Sequence, residues 1–198
     1  MPDTHKVKVA FGMEGSWWFP ITAEPAKARP TYSDAVDLGA AVKGYLSLTT
    51  LHFAVPGDNV NQIDADIFQE GQIDAETTLD DLSKNAMLFA HTYSEEAGEL
   101  SNSADTPKPG GYAFTQTLMT KDRGRFYRAT CFFKTTAIAG SEKQEADTRK
   151  RGEFSPKNQV FSLKVTEANN GDWRLRQDFQ SLAEAEAFIM STFKPATT

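Results

Sequence analysis

The chain has 198 residues, of which 39% are hydrophobic and 24% charged, and its formal net charge at pH 7 is −6. This composition is typical of a soluble globular chain with one large core or two small ones. The negative charge argues against simple affinity for nucleic acid or for an anionic membrane. No stretch approaches the roughly 20 apolar residues of a membrane span, and no apolar run near the start predicts a signal peptide.

The first part of the chain predicts strands separated by proline-rich loops. Alternation from Lys6 to Phe11 predicts a strand, and the aromatic run Trp17-Trp18-Phe19 follows it. Prolines in the stretch 22–32 predict a loop, because proline cannot donate to a strand ladder. A further strand is predicted from Gly44 to Phe53, before a turn at Pro56-Gly57-Asp58-Asn59.

The most unusual segment, Gln62 to Thr78, alternates with a period of two. Apolar or small residues occupy one phase, and acidic or amide residues occupy the other, which predicts a strand or strand pair with one acidic face. Phe68 and Gln69 interrupt the pattern and suggest a bulge or tight bend. Like charges on one face destabilise a sheet, so this face is expected to serve a purpose outside the subunit. Its carboxylates are Asp64, Asp66, Glu70, Asp74 and Glu76.

The second part predicts more strands and two helices. A helix follows the acidic strand from Leu79 to His91, with Thr78 as a possible cap and Asp80 and Asp81 in its first turn. Loops are predicted at 94–111 and 139–152. Four further strands are predicted, and the turn Lys121-Asp122-Arg123-Gly124 joins the first two as a hairpin. The strands are Tyr112 to Thr120, Arg125 to Lys134, Val160 to Thr166 and Trp173 to Phe179.

A capping box at Ser181-Leu182-Ala183-Glu184 opens a C-terminal helix that ends near Pro195. No internal repeat and no domain linker is evident in the chain. The sequence therefore predicts a single domain over residues 1–198. Its predicted fold class is mainly β, with two packed antiparallel sheets in a β-sandwich or barrel, a flanking helix and a C-terminal helix.

Catalytic chemistry is not indicated by any motif. Asp64, Asp66 and Glu70 could attract a divalent cation, but side chains two apart on a strand lie about 7 Å apart, too far to share one ion without help from another strand. The histidines His5, His52 and His91 have no zinc-site spacing. Cys131, the single cysteine, is expected in the core and leaves no intrachain disulfide. We expect no enzyme, no cofactor and no metal.

Aromatic and basic residues are the candidates for contacts between subunits. Trp17 and Trp18 are interpreted either as core residues or as anchors of a subunit contact. The basic residues could bind nucleic acid or lie in solvated loops, and a further possibility is pairing with acidic surfaces of neighbouring copies. They are Arg123, Arg125, Arg128, Lys143, Arg149, Lys150 and Arg151.

The order of these segments resembles the major tail tube proteins of long-tailed, siphovirus-type phages. The resemblance covers most of the chain, from Phe11-Gly12 through the acidic strand and the helix that follows. Its most telling motifs lie in the second half. They are Pro109-Gly110-Gly111-Tyr112-Ala113-Phe114, Arg123-Gly124-Arg125-Phe126-Tyr127-Arg128, Phe132-Phe133-Lys134, Thr148-Arg149-Lys150-Arg151-Gly152 and the strand from Gln159 to Val165.

The resemblance implies a structural virion protein, made in the host cytoplasm and found in the phage tail. Six subunits would form a ring whose inner sheets join into one barrel, and rings would stack into a hollow tube. The partners would be other copies of the chain, the tape measure protein, and the tail terminator and tip proteins. DNA would pass through the lumen without specific binding.

The acidic strand then has an expected role. Protein affinity for DNA is driven largely by phosphate neutralisation, and an acidic wall repels phosphates over about 8 Å in physiological salt. The sequence thus predicts that its carboxylates line the lumen. Three alternatives stay open: a β-sandwich ligand-binding module suggested by Trp17, Trp18 and Trp173, the tube protein of a contractile injection or secretion system, and a metal-dependent enzyme.

Overall fold

A computed structural model of the chain describes residues 8–56, 61–78, 81–120, 124–143 and 158–194. Within these ranges it has ten strands and two helices. In chain order they are β1 (Lys8–Ala23), β2 (Thr31–Tyr32), β3 (Val36–Pro56), β4 (Asn61–Thr77), α1 (Leu82–Phe89), β5 (Thr92–Ser94), β6 (Gly98–Leu100), β7 (Gly110–Thr120), β8 (Arg125–Ala137), β9 (Gln159–Thr166), β10 (Arg174–Phe179) and α2 (Leu182–Phe193).

One antiparallel sheet forms most of the structure and closes on itself. Its strands follow the order β10-β8-β7-β1-β3-β4-β9, and β2 extends β1. Residues Lys134–Ala137 of β8 also pair with Thr166–Leu163 of β9, which closes the sheet and leaves β10 outside the closure. Six strands therefore enclose an interior, as in a sandwich or barrel, while β5 and β6 form a separate small hairpin. The predicted mainly β fold with two helices is confirmed.

Two hydrophobic cores lie on opposite faces of β1, β7 and β8. The inner core is enclosed by the strands and covered by α1, and it includes Trp18, Tyr112 and Phe132. The outer core lies beneath α2 and includes Trp17, Cys131 and Phe193. Because neighbouring strand residues point to opposite faces, the consecutive tryptophans of β1 separate into the two cores. This burial explains the dense aromatic run in the sequence.

The glycine pair of β7 allows both cores to pack close to the backbone. A Cβ atom on Gly110 would lie 2.3 Å from the Trp18 ring, and one on Gly111 would lie 2.2 Å from the Phe193 ring. Real Cβ atoms do not approach other atoms so closely, so these positions need glycine for space. The Phe193 ring also stacks on Phe19 with centroids 4.1 Å apart. The Pro109-Gly110-Gly111 motif thus places one large ring on each side of the sheet.

The two helices begin at side-chain caps. Asp81 is the N-cap of α1 and accepts a hydrogen bond from the Ser83 amide at 2.9 Å, so the expected cap at Thr78 and the start at Leu79 are wrong. Asp81 competes better because its carboxylate accepts bonds from both the amide and the hydroxyl of Ser83. The predicted capping box of Ser181 and Glu184 is confirmed at α2. With eight and twelve residues, neither helix is long enough to span a membrane.

Other sequence expectations fail at loops and strand ends. The segment 94–111, predicted as one loop, contains the end of β5, all of β6 and the start of β7. The loop at 22–32 is shorter than predicted, because β1 extends to Ala23 and β2 occupies Thr31–Tyr32. Only part of the loop at 139–152 is described. Cys131 is a buried free thiol whose pKa burial raises to about 12, which supports the prediction of a core residue.

Candidate assembly surface

A two-stranded arm extends from the closed sheet. At its base, β3 pairs with β1 through Val36–Ala40, and β4 pairs with β9 through Gly71–Thr77. Farther out, Thr49–Pro56 of β3 pair with Asn61–Glu70 of β4, and in the described part of the chain these two segments pair only with each other. We call these two segments the arm. Ten residues of β4 at roughly 3.3 Å each give it a length of about 30 Å.

The arm exposes apolar side chains and unpaired backbone. Leu51 and Ile67 lie opposite each other in the ladder and are 49% and 53% exposed. At the base, Tyr45 is 63% and Leu48 is 46% exposed. A single hairpin of this length is marginally stable in water, and its two outer edges can pair with other strands. The arm is therefore a surface that a partner would stabilise.

A bulge at Gln69 divides the acidic strand into two parts. Glu70 pairs with Thr49 and Phe68 pairs with Thr50, so Gln69 is an extra residue in β4. Because Thr49 and Thr50 point to opposite faces, Glu70 and Phe68 do so as well. Asp66, two residues beyond Phe68, lies on the Phe68 face. The prediction that all the carboxylates share one face is therefore wrong, since one inserted residue reverses the phase.

The carboxylates nearer the body lie on one face, which we call the carboxylate face. It carries Glu70, Asp74 and Glu76, while Gly71, Ile73 and Ala75 alternate with them and are buried. The predicted alternation of an acidic and an apolar face is thus confirmed for this half of the strand. Asp66 is exposed, and Asp64 pairs with Ala54 in the ladder, but its side chain lies outside the described part.

Donors on β9, and on the residue just before it, pair with the carboxylate face. The Ser162 hydroxyl donates to Asp74 at 2.6 Å, the Asn158 amide donates to Glu76 at 2.7 Å, and Lys164 forms an ion pair with Glu70. Hydrogen bonds from Ser162 and then Gln72 lower the pKa of the Asp74 carboxyl below its usual value. All three acids are therefore paired within the subunit.

Lysines also lie near each acid on this face. Lys43 of β3 is the ladder partner of Glu76, and the charge of Lys143 acts on Asp74. Together with Lys164, three positive charges accompany three negative ones. The surface is polar and close to balanced in charge, whereas the sequence pattern alone indicated a strongly acidic wall.

Several other site predictions can be compared with the structure. Trp18 is 2% exposed and Trp17 is 9% exposed, so both are core residues and offer little surface to another subunit. Arg125 is exposed at the start of β8. Arg123, Arg149, Lys150 and Arg151 lie outside the described residues. Trp173 stacks on Phe68, with centroids 4.4 Å apart and planes 7° apart.

The metal interpretation of the acidic strand is not supported. Asp66 and Glu70 lie on opposite faces, so they cannot bind one ion, and Nδ1 of His52 lies 3.2 Å from an Asp66 oxygen. Another cluster, absent from the sequence prediction, joins His91, Glu99 and Glu142, whose ligand atoms lie within 4.8 Å of one another. Its closest contact, 2.6 Å from His91 Nδ1 to Glu99, is an ordinary hydrogen bond.

Comparison with known proteins adds no family to this geometry: no family model matches the chain, and no curated protein sequence matches it. The arm is the feature that sequence reasoning found only in part. Its signal was the turn at Pro56–Asn59 between two alternating segments, which is typical of a hairpin. Residues 57–60 of that turn lie outside the described part of the chain.

Proposed function

We propose that this chain is the structural subunit of a hollow tube, built from stacked rings as in the major tail tube proteins that its sequence resembles. The observation that carries the proposal is the arm, whose outer edges pair with no other described strand and which exposes Leu51 and Ile67. A partner that paired with or covered the arm would bury this apolar surface. Further copies of the chain are the simplest partner, because the same contact could then repeat from ring to ring.

The closed body of the subunit supports the same proposal. Its own core is complete, with Trp17 and Trp18 buried and α2 packed over the outer face. The apolar surface on the arm is therefore not needed to fill the core of the isolated subunit. A rigid body with a protruding arm can associate without refolding.

We assign the carboxylate face to the lumen of this tube. In this assignment Glu70, Asp74 and Glu76 neutralise Lys43, Lys143 and Lys164, so the wall gives DNA phosphates no uncompensated positive charge to bind. Asp66 lies on the opposite face of the arm and is not part of this wall. The passage of DNA then depends on charge balance as well as on repulsion.

Electron microscopy with an arm-shortened variant tests the proposal. Residues 51–67 are replaced by Asn-Gly, which connects the ladder pair Thr50 and Phe68 by a two-residue hairpin turn and keeps the Phe68 ring on the body. We expect the full chain to form rings or tubes in negative stain at high concentration. The shortened variant is expected to remain a folded monomer by circular dichroism and analytical ultracentrifugation.

A matched control changes exposed apolar residues away from the arm. The double variant Met87→Ser/Leu100→Ser removes two exposed apolar side chains on α1 and β6 and should still assemble. A full chain that stays monomeric at all concentrations would contradict the proposal. Equal assembly by the arm-shortened variant would contradict the role of the arm.

The alternatives have less support. The ligand-binding module was suggested by exposed tryptophans, but Trp17 and Trp18 are buried and Trp173 is stacked on Phe68. A metal-dependent enzyme would need Asp66 and Glu70 to bind one ion, but these two residues lie on opposite faces of the strand. The tube protein of a contractile system would use the same arm and wall, and the presence or absence of a surrounding sheath in the native particle would distinguish it.

A further inference from the structure

A concave cleft of about 150 Å³ opens between β10, β8 and the base of β3. Its floor is apolar and is formed by Leu46, Ile73, Phe114 and Phe132. Its other side carries Arg174, Arg176 and Thr130. The cleft is separate from the arm and from the carboxylate face.

The two arginines lie on the same face of β10. Arg174 is the ladder partner of Phe132, and Arg176 is the ladder partner of Thr130. Among the residues that the structure describes, no carboxylate forms an ion pair with either guanidinium. Arg174 instead lies over the Trp173 ring at 4.3 Å. Burial and the nearby charge of Arg176 both lower the pKa of Arg174.

A buried hydroxyl lies beside these charges. Thr130 is 3% exposed, and its Oγ1 has no hydrogen-bond partner among the described residues. Leaving a buried polar group unpaired is unfavourable, so a ligand that accepted a hydrogen bond from this hydroxyl would be stabilised. Since Thr130 and Arg176 are opposite each other in the ladder, their Cβ atoms are about 5 Å apart. One anion between them could accept hydrogen bonds from both.

We propose that this cleft binds a carboxylate carried on a short apolar stem. The planar guanidinium group presents paired donors that match the two carboxylate oxygens, and the Thr130 hydroxyl supplies a further donor. The aromatic and aliphatic floor would cover the stem. A bound carboxylate would also separate the like charges of Arg174 and Arg176, neither of which forms an ion pair with a described carboxylate.

The size of the cleft limits the ligand. A cavity of about 150 Å³ is the size that accommodates one benzene-sized molecule. A nucleotide or an oligosaccharide is too large, whereas a short-chain acid or the end of one Glu or Asp side chain fits. The carboxylate could thus come from a free acid or from a second copy of the chain.

Calorimetric titration of the full chain with butyrate tests the free-acid source, with butyramide as a neutral probe of the same shape. We expect saturable binding of butyrate and no binding of butyramide. Arg176→Gln should weaken binding by at least about tenfold, because a charged hydrogen bond contributes roughly 1.5–3 kcal/mol. Lys27→Gln removes an exposed positive charge outside the cleft and should leave binding unchanged.

Thr130→Val gives a sharper test because it keeps the side-chain shape and removes the unpaired hydroxyl. The variant should be as stable as the parent or more so, and should bind butyrate more weakly. Thr115→Val is its matched control. Thr115 also has a buried, unpaired Oγ1, but it neighbours Phe114 in β7 and therefore lies on the opposite face. It should change stability in the same way and leave binding intact.

Sedimentation velocity distinguishes a free acid from a carboxylate side chain on a second copy of the chain. If the carboxylate comes from a second copy, butyrate would bind weakly, and both Arg176→Gln and Thr130→Val would reduce self-association while Lys27→Gln and Thr115→Val would not. The proposal is overturned if butyrate and butyramide behave alike and the cleft variants associate like their controls. The arm-shortened variant keeps every residue that lines the cleft, so loss of tube assembly in that variant does not bear on this result.

Discussion

The Phe68 ring lies flat against the Trp173 ring, with centroids 4.4 Å apart and planes 7° apart. Phe68 belongs to the arm, next to the bulge at Gln69, and Trp173 directly precedes β10 in the body. Both side chains pack against the inner core. The stack therefore attaches the arm to the body at the point where β4 leaves the closed sheet.

Phe68→Leu should loosen this attachment. The change keeps an apolar side chain but removes the ring stack, which contributes about 0.5–1.5 kcal/mol. We expect a stability loss of about 1 kcal/mol and faster hydrogen exchange in the arm segments of β3 and β4 than in β7 or β8. Ile67→Thr, at the neighbouring exposed position, is the control. If the arm exchanges hydrogen at the same rate in the Phe68→Leu and Ile67→Thr variants, the ring stack does not hold the arm against the body.

Gly111→Ala should destabilise the outer core. The added methyl group would lie 2.2 Å from the Phe193 ring, and overpacking of this kind costs about 1–3 kcal/mol. Urea denaturation measures the change. Gly12→Ala is the matched control, because nothing lies within 4 Å of a Cβ atom added there, and it should change the free energy of unfolding by less than about 1 kcal/mol. Equal effects of the two substitutions would argue against close packing at Gly111.

The sequence predicts those features of the fold that depend on residues close together in the chain, and it misses those that depend on distant residues. The capping box at Ser181 and the alternation at Ile73 and Ala75 depend on neighbouring residues, and both predictions are confirmed. The cap of α1 was predicted at Thr78, but it lies at Asp81. The prediction is wrong because several capping residues compete within one short segment. The pairing of β8 with β9 joins residues far apart in the chain, and no local pattern specifies it.

The candidate site, too, could be predicted only in part, because some of its features depend on residues far apart in the chain. The interruption at Phe68 and Gln69 indicated a bulge, but the number of inserted residues decides which face each carboxylate occupies. The lysines that balance the acids, Lys43 and Lys164, come from two other strands, so the sequence pattern of β4 could not include them. Charge on a sheet face is a property of neighbouring strands as much as of one strand.

Asp178 links three strands, and its contribution to stability should depend on pH. It accepts a hydrogen bond from Arg128 Nε at 2.7 Å and one from Lys8 Nζ at 2.7 Å. The bond from Arg128, then that from Lys8, lowers the pKa of the Asp178 carboxyl. A lowered folded-state pKa gives stability that is present above the unfolded value of about 3.9 and lost as pH falls through the folded value.

Asp178→Asn should therefore lower the free energy of unfolding at pH 7 by about 1–2 kcal/mol. The difference from the parent should shrink below about pH 4, as the parent carboxyl becomes protonated. Urea denaturation at several pH values measures it. Asp34→Asn, which removes a fully exposed ion pair with Lys194, should have a small effect at every pH. A difference that stays constant down to pH 2 would contradict the ion-pair explanation.

Removing the acids of the carboxylate face should make the protein bind DNA. In Glu70→Gln/Asp74→Asn/Glu76→Gln, the charges of Lys43, Lys143 and Lys164 lose their neighbouring acids, and free lysines bind phosphates with release of counterions. We expect measurable affinity for a labelled duplex by fluorescence anisotropy, with a log–log salt slope of down to about −0.9 per lysine engaged. The control Asp66→Asn/Glu95→Gln/Glu96→Gln makes the same change in net charge at other exposed positions. If both triple variants bind DNA equally, net charge alone is responsible, and the local balance on the carboxylate face has no special role.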